Sequence, residues 1–196
     1  MLTGRRAERG FTMIEISVAI LLLAILMTLA LPQYFTYMQN QQIRGYAEGV
    51  QAGLQLARAE AVSRNVTGGA WLTLAADNSW TVQANNPLTG GVDTLRSQSG
   101  KERTANAAPT VTPAVTTITF NGLGRLASPA LAANTRLWID VRNPTGGACM
   151  EDDAASSMRC IAITVSQSGQ IRMCDPARDK TGAAATDSLA CQDKRP

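Results

Sequence analysis

The sequence predicts an α+β protein in which one long N-terminal helix, with a transmembrane half and an amphipathic half, packs on an antiparallel β-sheet head. Three observations carry this reading. Phe11 to Leu31 form a run of 21 positions in which Glu15 is the only charge. After Pro32 the apolar side chains recur at helical spacing to about residue 66. Beyond that point, short runs alternate apolar and polar residues between turn-forming stretches. The 196 residues thus divide into a basic leader (1–10), a membrane-length helix half (11–31), an amphipathic half (32–66) and a β-rich head (67–196) with its cysteines near the C-terminus.

A helix over the 21 residues of the first half spans about 30 Å, the thickness of a bilayer's hydrocarbon core. Arg5, Arg6 and Arg9 ahead of it favour a cytoplasmic N-terminus. A secretory signal would have a shorter apolar core followed by a small-residue cleavage site. Here the small residue, Gly10, comes first, so the segment reads as a retained anchor with the head outside the cytoplasm. An acidic side chain at the centre of a spanning helix costs roughly 2.5–3.5 kcal/mol, and less near an end. Glu15 has two readings: a carboxylate reaching the headgroup region, or one that pairs with an amine. Cleavage between Gly10 and Phe11 would create such an amine about one helical turn away, and a neighbouring copy could offer its own. Pro32 removes a backbone donor and predicts a kink as the helix leaves the membrane.

In the second half, Ile43, Ala47, Val50, Leu54, Ala57 and Ala61 form one apolar stripe. Gly45, Gly49 and Gly53 stack on one side, each at a cost of about 1 kcal/mol relative to alanine. They mark either close approach of another backbone or a flexible stretch. Arg58, Glu60 and Arg64 are placed for helix-surface charge pairs, and Asn65 before "TGG" is a plausible stop signal.

In the head, strands are expected over 70–75, 79–83, 116–120, 135–141, 160–166 and 170–174. "ADNS" and "SQSG" should close two hairpins. Residues 84–115 are rich in Asn, Gly, Thr, Ser and Pro, and read as a long loop with at most a short strand around "VDTLR". "FNGLGR" (120–125) is a glycine turn.

Composition narrows the chemistry. Histidine is absent, which removes Ser-His-Asp and Cys-His catalysis and His-ligated zinc. No nucleophile–base pair, phosphate loop or cofactor motif stands out, so the expectation is no enzyme, no cofactor and no metal. "MEDDAASS" (150–157) groups three acids without the ligand spacing of an EF-hand, and reads as a solvated loop. The net charge of +3 would fall to +1 on loss of residues 1–10, which is no footprint for nucleic acid. Cys149, Cys160, Cys174 and Cys191 lack CxxC spacing and suit disulfides in an oxidising compartment. Three connectivities are possible; Cys149–Cys160 with Cys174–Cys191 is favoured because each closes a loop-like segment.

The basic leader, Gly10, "FTMIE", the apolar run, Pro32 and the continuing helix together resemble the class III signal of type IV prepilins and type II secretion pseudopilins. The resemblance implies cleavage after Gly10 by a prepilin peptidase, methylation of Phe11, and a role for Phe11 and Glu15 in docking subunits. It also implies that the helix bends, and can loosen, at Pro32. "LARAEAVSRN" (56–65) is similar to the end of the long helix in the GspH/FimT group, and "FNGLGR" has counterparts in its head. The resemblance therefore implies a type IV pilin-like fold and a minor pilin that helps to start pilus assembly, or alternatively a GspH-type pseudopilin. Implied partners are the peptidase, other pilins or pseudopilins, and the inner-membrane assembly platform. The implied location is the inner membrane with the head in the periplasm, then the filament. Some FimT-group members bind DNA through a Gly-Arg-x-Arg turn. Here that place reads Gly169, Gln170, Ile171, Arg172, lacking the first arginine, so Arg172, Arg178 and Lys180 are only weak DNA candidates.

Overall fold

A computed structural model describes residues 10–65, 67–100, 106–178, 187 and 189–191. The leader arginines and Lys180 lie outside the described residues. The chain forms two compact units, Met1–Tyr37 and Met38–Pro196. Helix α1, Met13–Arg64, is 52 residues long and is assigned as helix throughout, Pro32 included.

In the first unit the helix has no core of its own. Its apolar side chains, from Phe11 to Leu31, are exposed. The segment is long and apolar enough to cross a membrane, and its hydroxyls are turned inward. Ser17 Oγ donates to the Met13 carbonyl at 2.8 Å and Thr28 Oγ1 to that of Ile25 at 2.7 Å. Such back-bonding satisfies these two donors within the helix itself.

Among the described residues of the second unit, nine strands form two antiparallel sheets. The first contains β1 (Ala70–Leu74), β2 (Trp80–Asn85), β3 (Val92–Gln98), β5 (Thr117–Phe120) and β6 (Leu126–Ser128), in the order β3-β2-β1-β5-β6. The second contains β4 (Ala108–Thr112), β7 (Arg136–Arg142), β8 (Ile161–Ser166) and β9 (Ile171–Cys174), in the order β4-β7-β8-β9. The expected stripe of α1 is buried from Ile43 to Ala61, together with Tyr46 and Gly53. It packs in one core with Leu72, Trp80 and Phe120 of the first sheet and Leu137, Ile139 and Ile163 of the second.

The expected hairpins are present: β1 pairs with β2 and β8 with β9. The region read as a long loop contains the strand allowed for around "VDTLR", extended as β3, and a second strand, β4, that was not foreseen. β3 is seven residues long and lies at a sheet edge with few inward apolar positions, so it has no clear period-2 signal. β4 is an edge strand that includes Pro109, a residue tolerated where one side of the strand needs no donor. The three-residue β6, after the "FNGLGR" turn, was also unforeseen.

The two central strands of the second sheet, β7 and β8, are buried on both faces. Leu137, Ile139 and Val141 face the main core, while Trp138 packs with Ala162, Cys174 and Cys191 in a separate cluster. The Cys174 and Cys191 side chains thus lie against the face of this sheet that carries Trp138.

Candidate functional site

The N-terminal motif has a local physical logic. Thr12 caps the helix: its Oγ1 accepts the Glu15 N–H at 3.3 Å, and its carbonyl accepts the Ile16 N–H at 3.2 Å. Thr and Glu three residues apart are the residue types of a capping box. Glu15 sits in the first turn, where the helix dipole favours a negative charge. Its side chain is exposed, and among the described residues none pairs with it. Gly10 has open space around it and Phe11 is 79% exposed, so the Gly10–Phe11 bond is accessible. The arrangement presents an accessible Gly10–Phe11 bond, an exposed aromatic residue and an uncompensated carboxylate within six residues.

The helical glycines divide by environment. A Cβ on Gly53 would meet Leu72 Cδ1 at 2.8 Å and the Trp80 ring at 2.9 Å. On Gly49 it would lie 3.0 Å from Gln98 Oε1, and on Gly45 it would meet nothing within 4 Å. Close approach to the sheet therefore explains Gly53 and Gly49 but not Gly45.

At the end of α1 the charge pairs are more selective than the sequence suggested. Arg64 Nε binds Glu60 at 2.9 Å, while its Nη1 reaches Asp93 on β3 at 2.6 Å and the Asn85 carbonyl at 3.2 Å. Arg64, with help from Asn86, holds the Asp93 carboxyl below its usual range. Arg58 instead donates from Nε to the Gly124 carbonyl at 3.0 Å. Gly124 and Gly169 both have positive φ, and a Cβ on Gly169 would strike the Gly124 carbonyl oxygen. The "FNGLGR" and "SQSG" turns thus meet over Arg58, a junction whose sequence signal was two glycine turns and an isolated helix arginine. Asn65 ends the helix at φ 45°, its N–H bonded to the Ala61 carbonyl at 3.1 Å.

Cys149 is bonded to Cys160 and Cys174 to Cys191, with Cα–Cα distances of 5.6 and 4.9 Å. The acids between the first pair are not simply solvated. Glu151 and Asp152 both bind Arg142 on β7, and Cys149 is committed to its disulfide, so this cluster is not built for a cation.

The DNA candidates are scattered in role. Arg172 lies on β9, half-buried, and is not free of partners. Arg178 Nη1 binds Asp187 at 2.6 Å inside the Cys174–Cys191 loop. The Leu189 N–H, and then Arg178, hold the Asp187 carboxyl low. A groove of about 250 Å³ on the second unit includes Arg44, Arg159 and Arg178 in its lining. Each of these cations has an acidic neighbour: Glu48, Asp175 and Asp187 respectively. Such neutralised arginines make a poor phosphate track.

Residues 46–183 match the family model described as Type II transport protein GspH, and residues 5–31 match the Prokaryotic N-terminal methylation motif. The chain belongs to the GspH family. With the methylation motif in front, it is a type IV prepilin-like protein of the GspH/FimT group. Among solved structures it is similar to the type IV minor pilin FimU of Pseudomonas aeruginosa strain PAO1. That likeness has 22% identity and a TM-score of 0.49, and covers 70% of this chain and 91% of the other. No curated protein matches. The methylation match begins in the basic leader and ends at Leu31, so it takes in Gly10, Phe11 and Glu15 together. The GspH match covers the buried stripe of α1 from Tyr46 onward and the nine described strands, which places the Arg58, Gly124 and Gly169 junction inside the family's own region.

Proposed function

We propose that this chain is a minor pilin that helps to initiate type IV pili and is incorporated into them. Prepilin peptidase cleaves between Gly10 and Phe11 and the new N-terminal Phe11 is methylated. The chain waits in the inner membrane with its head in the periplasm until the assembly platform draws it into the filament. The observation that carries this reading is the N-terminal unit. It presents an unpaired first-turn carboxylate, Glu15, ahead of an exposed apolar helix of membrane length. A Glu15 carboxylate without a partner of its own is satisfied when a second helix brings a cationic N-terminus alongside it, shifted along the axis. The apolar surface, which would otherwise need lipid, is then covered by other helices. Catalytic work is no part of this role.

A second reading, a pseudopilin of a type II secretion system, is favoured by the description of the matched family. The two separate in vivo. Deletion of the gene should collapse the yield of sheared surface pili and complementation should restore it, with secreted-enzyme levels unchanged. Normal piliation with lost secretion would establish the pseudopilin reading instead.

A further inference from the structure

The outer face of the first sheet is a row-ordered, uncharged surface, and nothing in the pilin role uses it. One row across the strands runs Thr94, Gln83, Trp71, Thr119. The adjacent row runs Ser97, Thr81, Thr73, Thr117. Their strand neighbours Leu72, Trp80, Val82, Ile118 and Phe120 point into the core, so these eight share the opposite face. The side chains are already linked laterally. Trp71 Nε1 donates to Gln83 Oε1 at 3.2 Å, and Gln83 Nε2 to Thr94 Oγ1 at 3.3 Å. Thr73 and Thr117 hydroxyls lie 3.5 Å apart.

Threonine on a solvated strand is unremarkable by itself. Two features set this face apart. Charged residues make up 17% of the chain, yet none of these eight positions carries one. In addition, a tryptophan occupies the middle of a row, half-buried, with its N–H tied sideways to Gln83. Trp71 offers a large rigid amphipathic surface at low entropic cost, surrounded by hydroxyls and an amide that both donate and accept. A partner must match that pattern. Nucleic acid and acidic or basic peptides find no opposite charge here. A neutral pyranose oligosaccharide does match: its C–H face packs on an indole, its hydroxyls exchange bonds with threonine and glutamine, and it brings no ion to desolvate.

We propose that this face binds a neutral oligosaccharide, with Trp71 as the platform and Gln83 as the orienting amide. The inference does not depend on which filament system uses the chain. The molecule supplies its own reporter, because of its three tryptophans Trp80 and Trp138 are 0% and 2% exposed, leaving Trp71 alone in contact with solvent.

The test uses the full chain in a detergent without a sugar headgroup, titrated with glucose and N-acetylglucosamine oligosaccharides and, separately, with an anionic polygalacturonate oligosaccharide. The expected result is a saturable change in tryptophan fluorescence and calorimetric heat with a neutral sugar. Affinity should fall about tenfold or more in Trp71→Ala, in line with the loss of an aromatic anchor. Gln83→Glu keeps the volume and adds a charge to the row; it should weaken binding similarly while circular dichroism stays unchanged, which covers the case in which Trp71→Ala misfolds. Absence of binding by every neutral sugar, equal affinity in Gln83→Glu, or binding only of the anionic sugar would overturn the proposal.

Discussion

At the scale of the residue, single positions are set by what lies within a few ångströms of them. Gly53 is pressed against Leu72 and Trp80, whereas Gly45, on the same helix, faces open space. Alanine gains about 1 kcal/mol of helix propensity at either site, but overpacking a core costs about 1–3 kcal/mol. Gly45→Ala should therefore raise the melting temperature and Gly53→Ala should lower it. A shift of the same sign in both would contradict the assigned packing. Arg58→Ala removes the donor to the Gly124 carbonyl at the turn junction. The expected loss is about 1–2 kcal/mol, read by chemical denaturation, because a bond from a charged donor is lost and the turn carbonyl loses its partner. Acid dependence belongs to Asp93. Its folded pKa is depressed, so its stabilising contribution is present above the unfolded value near 3.9 and is lost as the pH falls through the lower folded value. Asp93→Asn should flatten the fall in melting temperature below about pH 4, and a curve parallel to the parent's would show that the Arg64 pair carries no linkage.

At the scale of the element, what was legible in the sequence was what repeats. The stripe from Ile43 to Ala61 and the inward positions of β1, β2, β7 and β8 follow helix and strand periods, so their burial could be read directly. The full length of β3 and the whole of β4 could not, because edge strands bury few side chains and Pro109 disguises the second of them. The destination of Arg58 was equally hidden, since it depends on two turns that are distant in sequence meeting in space. Burial of the face around Trp138 depends on the return of the chain to Cys191. Replacing both Cys174 and Cys191 by serine opens a loop of sequence separation 17. The variant should lose about 2–4 kcal/mol and red-shift its tryptophan emission as Trp138 meets water. An unchanged spectrum would mean that Trp138 stays covered without the disulfide.

At the scale of the whole molecule, the chain combines an N-terminal unit whose apolar side chains are exposed with a second unit that holds its own core. The N-terminal methylation motif that takes in Gly10, Phe11 and Glu15 was legible because it is a run of local sequence, while the choice of filament system would depend on surfaces that no periodicity marks. Glu15→Ala keeps the anchor and the head, and even removes a charge from the spanning segment. The variant should accumulate in the membrane fraction at normal levels yet be missing from sheared filaments; recovery in both fractions would remove Glu15 from the docking step. The most direct measurement is the intact mass of the chain extracted from membranes of cells that carry prepilin peptidase. The account predicts a mass lacking residues 1–10 and carrying one added methyl group on Phe11. A chain that retains its leader, or one cut elsewhere, would contradict it.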